Sequence, residues 1–500
     1  MNIMFSRTAV VLCLLPALAL LAGCREEKTA EVETPVENPF AGRQVSVSLP
    51  AGYGLRTRWQ LPVDEWSTQT AATVSLSQYE SAADQFQDGA TLQLFSLREL
   101  PGLAAAGSLA PVPESLRNDP RMLWLDVFPG LREQLCSREG EPVAVPLSVP
   151  VLLLAYRADL LQQAGLQPPE TWQDYDRLVA TLPEWAPGLT VAEPWAESFS
   201  ASLFLARAVC AARHPANYSV FFDIRSGEPL INGAPFVRTL EQCRQLQEFL
   251  PAESSSWTPD DCLRELTEGR AAIGIVAITS STGGELPLER QAAADDSTPA
   301  AQNHVDVPAR GRGMALTFTR LPGSASVYNA STDKWEAPAS GNSSRTTLAG
   351  FAGVFAGVPS SASEELQQPA WNLLMTVTGQ EQLTAALPMP LRGVTRDSQA
   401  DTAATWFTGL LNSGEAESAV RAMASSLRST DLVAELPVPG REGFLKALAA
   451  GVRSALTGQA EPQAALSDVA AQWSAHLEEL GQARVRDSYR RALGLSPLDR

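Results

Sequence analysis

Residues 141–172 read EPVAVPLSVPVLLLAYRADLLQQAGLQPPETW, and this segment constrains the architecture more than any other. Prolines recur in its first half, and because proline excludes a helix interior, we predict extended chain over residues 141–156. A short helix closed by Gly165 is predicted next. Thr171 is then predicted to cap a helix that begins at Trp172. The segment therefore predicts a long strand region that leads directly into two helices.

Strands and helices alternate in the first part of the chain. Gln44 is followed by Val-Ser-Val-Ser-Leu, whose period of two is typical of a half-buried strand, and residues 73–77 repeat this pattern after a helix-sized stretch. Residues 92–95 are a further short strand candidate. This alternation predicts an α/β fold with a mostly parallel sheet. Because roughly 450 residues are too many for one core, we expect two lobes.

A series of short motifs runs through the chain in a fixed order. The first comprises Val145-Pro146, Tyr156, Asp159-Leu160-Leu161, Ala164-Gly165, Pro169 and Thr171-Trp172. Later motifs occupy residues 270–276, 314–323, 348–357, 363–374 and 380–382. In this order they resemble the extracellular solute-binding proteins of ABC importers, in the sugar-binding branch related to maltose-binding protein. The resemblance extends over residues 44–395.

The resemblance implies a two-lobed periplasmic-binding-protein fold. Each lobe is expected to be a mostly parallel sheet flanked by helices, and hinge crossovers are expected near Val149, Gly313 and Arg396. The implied organisation is a signal peptide in residues 1–23, a tether in 24–43, lobe I in 44–149 and 314–395, and lobe II in 150–313 and 396–500, where the last range supplies closing helices.

The N-terminus has the pattern of a bacterial lipoprotein signal. Arg7 supplies a positive charge, and residues 8–20 form an apolar run that is shorter than the roughly 20 residues of a membrane span. The run ends in Leu21-Ala22-Gly23-Cys24, which resembles the lipobox, so we predict cleavage before Cys24 and lipidation of its thiol. Residues 25–39 are acidic and contain prolines, as expected of a solvated tether. We expect a lipid-anchored protein on the periplasmic or extracellular face, and the sequence leaves open which membrane holds the lipid.

Charge and cysteine content exclude several classes of function. The formal net charge of −18 excludes binding to nucleic acid or an anionic membrane surface by charge alone. Apart from Cys13 and Cys24, the chain has Cys136, Cys210, Cys243 and Cys262. These four cysteines allow several disulfide connectivities, of which Cys243 with Cys262, the pair closest in sequence, is favoured. The spacing of cysteines and histidines does not support a metal site, and no cofactor is expected.

A cleft that grips a sugar needs aromatic faces for the C–H patches of the ring and planar polar groups for its hydroxyls. By the resemblance, Trp195 and Phe199 line such a cleft, and packing in the core is the alternative interpretation. The polar candidates are Ser148, Thr279, Ser280 and Ser281, which are otherwise exposed hydroxyls at strand ends. Trp59 is a further aromatic candidate.

Some residues depart from the family pattern. Pro150 stands where sugar-binding relatives often carry an acidic or polar side chain, and Ile278-Thr279-Ser280 replaces a Gly-x-Trp of some relatives. These departures argue against a standard maltodextrin as the ligand. Tyr328 and Trp335 lie in an insertion rich in Ser, Asn and Ala, where we expect a loop over the rim of the cleft.

The function implied by the resemblance is capture of a small solute, a carbohydrate, in a cleft between the lobes and its delivery to the permease subunits of an ABC importer. Such a protein is not an enzyme. One alternative keeps the fold but makes the chain a ligand-sensing or scaffolding lipoprotein of the envelope. A second alternative is an extracellular hydrolase, but the G-x-S-x-G motif of serine esterases does not occur in the sequence.

The lipid anchor is tested by Cys24→Ala. Without the thiol no diacylglycerol is attached, so the protein should move from the membrane fraction to the soluble fraction, because each buried acyl CH₂ contributes about 0.8 kcal/mol to membrane binding. Fractionation and metabolic labelling with a fatty-acid analogue measure this change. Arg25→Ala is the control and should stay labelled. Labelled, membrane-bound Cys24→Ala protein would contradict the prediction.

Overall fold

The computed structural model describes residues 38–51, 55–79, 86–87, 89–278, 314–339, 341, 343–379, 393–407 and 410–498. The predicted signal peptide, Cys24, most of the tether, Thr279, Ser280, Ser281 and residues 380–382 lie outside these ranges. Residues Phe40–Arg500 form one compact unit. None of the helices in the described ranges combines the length and the apolar character needed to cross a bilayer.

The strands, in chain order, are β1 (Gln44–Pro50), β2 (Thr73–Tyr79), β3 (Leu92–Ser96), β4 (Ser137–Arg138), β5 (Glu141–Pro142), β6 (Val145–Ser148), β7 (Leu153–Arg157), β8 (Thr190–Ala192), β9 (Ala271–Val276), β10 (Leu316–Arg320), β11 (Val327–Asn329), β12 (Lys334–Glu336), β13 (Thr347–Ala349), β14 (Val354–Gly357) and β15 (Leu432–Ala434). Most of them are short. The long extended region predicted over residues 141–156 is observed as β5, β6 and the start of β7.

The α-helices are α1 (Leu55–Thr70), α2 (Leu100–Ala105), α3 (Glu114–Arg117), α4 (Ala158–Gln163), α5 (Trp172–Ala180), α6 (Leu182–Trp185), α7 (Glu197–Ala212), α8 (Ala234–Leu246), α9 (Pro259–Thr267), α10 (Glu364–Thr378), α11 (Ser413–Arg428), α12 (Arg441–Leu456), α13 (Pro462–Leu480) and α14 (Gln482–Ala492). The last three helices follow one another closely over residues 441–492.

Two larger sheets organise the molecule. The first has the strand order β2-β1-β3-β14-β6 and the second has the order β10-β7-β9-β8. In the first sheet β1 pairs in parallel with β2 and β3, whereas β14 is antiparallel to β3 and β6. In the second sheet β7 is antiparallel to β9 and β10, and β8 is parallel to β9. The α/β class is confirmed, but both sheets are mixed where mostly parallel ones were expected, because returning strands such as β14 enter in the opposite direction.

The cap predicted at Thr171 is confirmed in atomic detail. Thr171 Oγ1 accepts a hydrogen bond from the backbone N–H of Asp174 at 3.1 Å, and Asp174 Oδ2 accepts one from the backbone N–H of Thr171 at 3.1 Å. This reciprocal arrangement satisfies two backbone donors at the start of α5, which begins at Trp172 as predicted. Gly165 has a φ of +68°, a left-handed conformation that ends α4 at little cost.

The second sheet is covered on both faces, and its sequence explains why. All six residues of β9, Ala-Ala-Ile-Gly-Ile-Val, are buried, as expected of a strand with helices on either side. Val276 lies in one apolar core with α9 and α11, while Ile273 and Ile275 lie in the other with α5, α7 and α8. Gly274 allows β8 to approach closely, since a Cβ there would lie 2.4 Å from the carbonyl oxygen of Ala192.

The lobe boundaries remain predictions. Residues 314–395 contribute strands to both sheets. In the range 314–395, assigned to lobe I, β14 belongs to the first sheet with β3 and β6. In the same range β10 pairs with β7 in the second sheet, with Phe318 opposite Ala155. The chain therefore returns from the second sheet to the first only after β10.

The favoured disulfide between Cys243 and Cys262 is not formed. All four cysteines described are free and buried. Cys262 lies with Cys136 in the first apolar core, which includes one face of the second sheet, while Cys243 lies with Cys210 in the other core. Closeness in sequence was therefore a poor guide, because the two side chains point into different cores. Burial raises the pKa of Cys243 to about 12.

These thiols should be inert in the folded protein, because the thiolate is the reactive form and burial disfavours it. In the chain from residue 25 onward, Ellman's reagent should react with none of the four thiols at pH 8. Denaturation should expose all four. Ser255→Cys, at an exposed helical turn, is the control and should add one rapidly reacting thiol. Fewer than four reactive thiols after denaturation would indicate a disulfide and contradict the prediction.

Candidate functional site

Three backbone passes connect the parts of the chain that carry the two sheets. The first runs from β6 to β7 through residues 149–152, all buried. The second leads from β13 to β14 through residues 350–353. The third follows α10, which packs on β1 and β3, and leads through residues 393–396 to α11, which packs on β10. Three segments of backbone thus connect the two sheets at one place. This is the arrangement of a hinge.

The three passes touch one another at Ser148. The backbone N–H of Gly393 in the third pass donates to Ser148 Oγ at 3.0 Å. A Cβ at Gly393 would lie 2.3 Å from the carbonyl carbon of Val149, so only glycine fits there. In the second pass, Gly353 has a φ of +145°, and a Cβ would lie 3.0 Å from the carbonyl oxygen of Ser148. Glycine in two passes therefore permits the close contact of all three.

The two predicted aromatic residues lie in the second apolar core, and one of them contacts the second pass. Trp195 follows β8 and is 5% exposed; its Nε1–H donates to Glu193 Oε2 at 2.7 Å. Phe199 is in the first turn of α7, and its ring meets the ring of Phe351 edge to face at 5.3 Å. Because Phe351 belongs to the second pass, the structure brings Phe199 to the hinge.

The other predicted residues divide into three groups. Ser148 is fully buried, and its hydroxyl accepts the hydrogen bond from Gly393. Trp59 is also fully buried and packs in the core of the first sheet. Thr279, Ser280 and Ser281 lie outside the described residues. The ligand-binding roles of all these residues stay predictions, and in this conformation the described ones have almost no exposed surface.

A buried chain of charged groups extends from Trp195 into the second lobe. Arg207, whose side chain is 1% exposed, lies 3.4 Å from Glu193 Oε1 and 2.6 Å from Asp176 Oδ1. Burial raises the pKa of Glu193, and the charge of Arg207 opposes that shift. Burial also works against the charged form of Arg207, but the neighbouring carboxylates outweigh it and raise the pKa. The guanidinium is therefore charged and held in place by two acids.

Sequence reasoning missed a second group of charges at the hinge. Arg98 Nε donates to the carbonyl oxygen of Phe351 at 3.2 Å. Glu435 and Arg441 form an ion pair in which both side chains are buried, and the backbone N–H of Glu435 donates to Ala349 at 2.8 Å. Burial lowers the pKa of Arg441, and the charge of Arg98 adds to this effect. No local sequence pattern marks these residues, because isolated arginines and glutamates are normally on the surface.

This arrangement is suited to binding. The aromatic rings of Phe199 and Phe351 meet at the backbone passes that join the two sheets. In the described part of the chain, His, Cys, Asp and Glu do not gather into a group of three that could hold a metal ion. The class defined by the fold and this junction is a two-lobed, hinged binding protein.

Comparison with known proteins identifies the family. Residues 54–316, more than half of the chain, match the family described as bacterial extracellular solute-binding protein. The chain belongs to this family, whose members are binding proteins that act outside the cytoplasm. A search of curated proteins found no significant sequence match.

Solved structures show the same two-lobed fold. MalE of Xanthomonas citri, a sugar-binding protein, is 17% identical with a TM-score of 0.62, and the match covers 87% of this chain and 98% of that one. Maltose-bound MalE3 of T. maritima is 15% identical with a TM-score of 0.58, covering 88% and 100%. A solute-binding protein of Agrobacterium radiobacter in complex with ribitol is 16% identical with a TM-score of 0.57, covering 87% and 98%.

The tight contact at Gly393 predicts a specific defect. Gly393→Ala should destabilise the protein by about 1–3 kcal/mol, because the methyl group has no space against the backbone of Val149. Denaturant unfolding of the chain from residue 25 onward measures the change. Gly414→Ala in α11 is the matched control, since a Cβ there meets no atom closer than 3.7 Å, and it should be neutral or slightly stabilising. Equal stability of the two variants would contradict the close packing of the passes.

Proposed function

We propose that this chain captures a small hydroxylated solute, a carbohydrate or polyol, between its lobes and delivers it to the permease of an ABC importer. The observation that carries the proposal is the contact of Phe199 with Phe351 in the second of the three passes, in a chain of the solute-binding family. Two structures with the same fold are complexes with maltose and with ribitol, which supports the ligand class. The process is binding without catalysis.

The mechanism follows from the burial of the candidate residues. Trp195 is 5% and Phe199 3% exposed, and both lie in the second apolar core, so a solute would reach their rings only if the packing around them opened as the lobes moved. A solute that contacts both lobes gains those contacts only in the closed form, and it therefore shifts the equilibrium toward closure. The closed form would present a surface to the permease that the open form lacks.

The indole of Trp195 is well suited to a sugar-binding role. Its Nε1–H is fixed by Glu193 Oε2, and Arg207 in turn holds that carboxylate, so the plane of the ring is set before a ligand arrives. A preorganised ring loses little conformational entropy on binding. An aromatic face offers dispersion contacts to the C–H groups of a sugar ring.

The proposal also includes the cell-surface location. Cleavage before Cys24 and lipidation of its thiol would hold the domain on a membrane through the acidic tether. The tether would let the compact unit Phe40–Arg500 reach a permease in the same membrane or diffuse close to it.

The solute class is tested by thermal unfolding of the chain from residue 25 onward with sugars, polyols, amino acids and peptides. A ligand at 100 times its Kd stabilises the folded state by about 2.7 kcal/mol, a shift of several degrees. We expect a shift with a sugar or polyol, and a large loss of affinity for Trp195→Ala.

Trp185→Phe is the matched control, because Trp185 is a buried tryptophan of the same lobe whose indole donates to the carbonyl oxygen of Leu178. It should lower the melting temperature without changing solute affinity. Absence of a shift with every class of compound would contradict solute capture and favour a sensing or scaffolding role. A shift that Trp195→Ala leaves intact would place the ligand elsewhere.

A further inference from the structure

A pocket lies away from the hinge, between α5, α7, α8 and the β11–β12 hairpin. Its enclosed part is small, about 10 Å³, which is room for one water-sized group, and it opens to solvent on one side. Its lining includes Trp172, Gln173, Arg207, Arg238, Ser324 and Trp335. None of the residues predicted to bind the solute is among its lining residues. The hairpin, which was predicted to lie over the rim of the cleft, forms one wall of this pocket.

The walls of the pocket are flat and firmly held. The guanidinium carbon of Arg207 lies 4.4 Å from the ring centroid of Trp172, and that of Arg238 lies 4.4 Å from the ring centroid of Trp335. The hairpin is pinned to the lobe by Asn217, whose side-chain amide donates to the carbonyl oxygen of Tyr328 at 2.8 Å. Such stacked walls keep their positions when the pocket is empty.

The charges around the pocket balance. Arg207 is matched by Asp176 and Glu193, and the positive charge of Arg238 brings the formal sum of these four groups to zero. Among the described residues Arg238 makes no ion pair, and its Nη1 donates to Ser326 Oγ at 3.1 Å. The pocket thus offers donors without an excess of charge that would call for an ionic ligand.

The pocket also contains an unsatisfied acceptor. Gln173 Oε1 is buried and has no hydrogen-bond partner among the described residues. Arg238 retains N–H groups beyond the one that reaches Ser326. A carboxylate would satisfy only the donors and an ammonium group only the acceptor. A hydroxyl both donates and accepts, so neighbouring hydroxyl groups satisfy both sides together.

We propose that this pocket is a second binding site, in which Gln173, Arg238 and Trp335 hold the hydroxyl groups of a small uncharged polyol or the end of a saccharide. The site is separate from the cleft at the hinge and does not depend on the proposed transport function. Only one terminal hydroxyl group fits within the enclosed part, and the rest of the ligand would lie at the open side, so binding should be weak and should favour small polyols.

The test uses ¹⁹F NMR of the chain from residue 25 onward labelled with 5-fluorotryptophan. Trp335→Phe and Trp195→Phe identify the resonances of the pocket and of the hinge. Titration with sorbitol should shift the Trp335 resonance in a saturable way. Arg238→Met and Gln173→Leu should each weaken this response about fivefold or more, the effect of one lost hydrogen bond, and should leave any response of Trp195 unchanged.

Arg244→Met is the matched control, because Arg244 lies on the same helix α8 but pairs with Glu461 at the surface. It should bind sorbitol as the unsubstituted chain does. A saturable shift with sodium acetate and none with sorbitol would overturn the polyol assignment. A Trp335 resonance that never saturates, or one that responds equally in all three variants, would show a general solvent effect and overturn the site itself.

Discussion

Close contact of three backbone passes at Ser148 is the constraint on which the rest of the structure depends. The contact requires Gly393 and Gly353, since a Cβ at either position would press on the first pass. It fixes where the two sheets can meet. A rotation of one lobe relative to the other would change backbone angles in these passes, because a hinge needs a few residues that absorb such a change.

One buried ion pair lies next to this junction, and a second group of buried charges lies deeper in the second lobe. Removing an ion pair such as Glu435–Arg441 from water is costly, and its mutual attraction recovers that cost only with good geometry. Such an ion pair therefore does more to fix the relative positions of the segments that carry it than to stabilise the folded protein. Arg207 acts similarly for Glu193, and through that carboxylate it sets the plane of the Trp195 indole. The same guanidinium forms part of the second pocket, so one buried cation borders two separate surfaces.

Local patterns predicted the local structure well. The cap at Thr171, the turn at Gly165 and the alternating strand from Gln44 are all observed, because each depends on residues close in sequence. Pairings between segments that lie far apart in the chain were harder to predict from the sequence. The antiparallel entry of β14 and the separation of Cys243 from Cys262 into different cores depend on the path of the whole chain, which no short pattern records.

The sequence by itself determined the α/β class, the family resemblance and the candidate aromatic residues, because motif order and periodicity are properties of neighbouring residues. Only the tertiary structure decided that Phe199 meets Phe351 at the hinge, that Glu435 pairs with Arg441, and that the β11–β12 hairpin closes a pocket with α5 and α8. These contacts join segments that lie far apart in the chain. Their energy comes from burial and close packing, which exist only once both cores have formed.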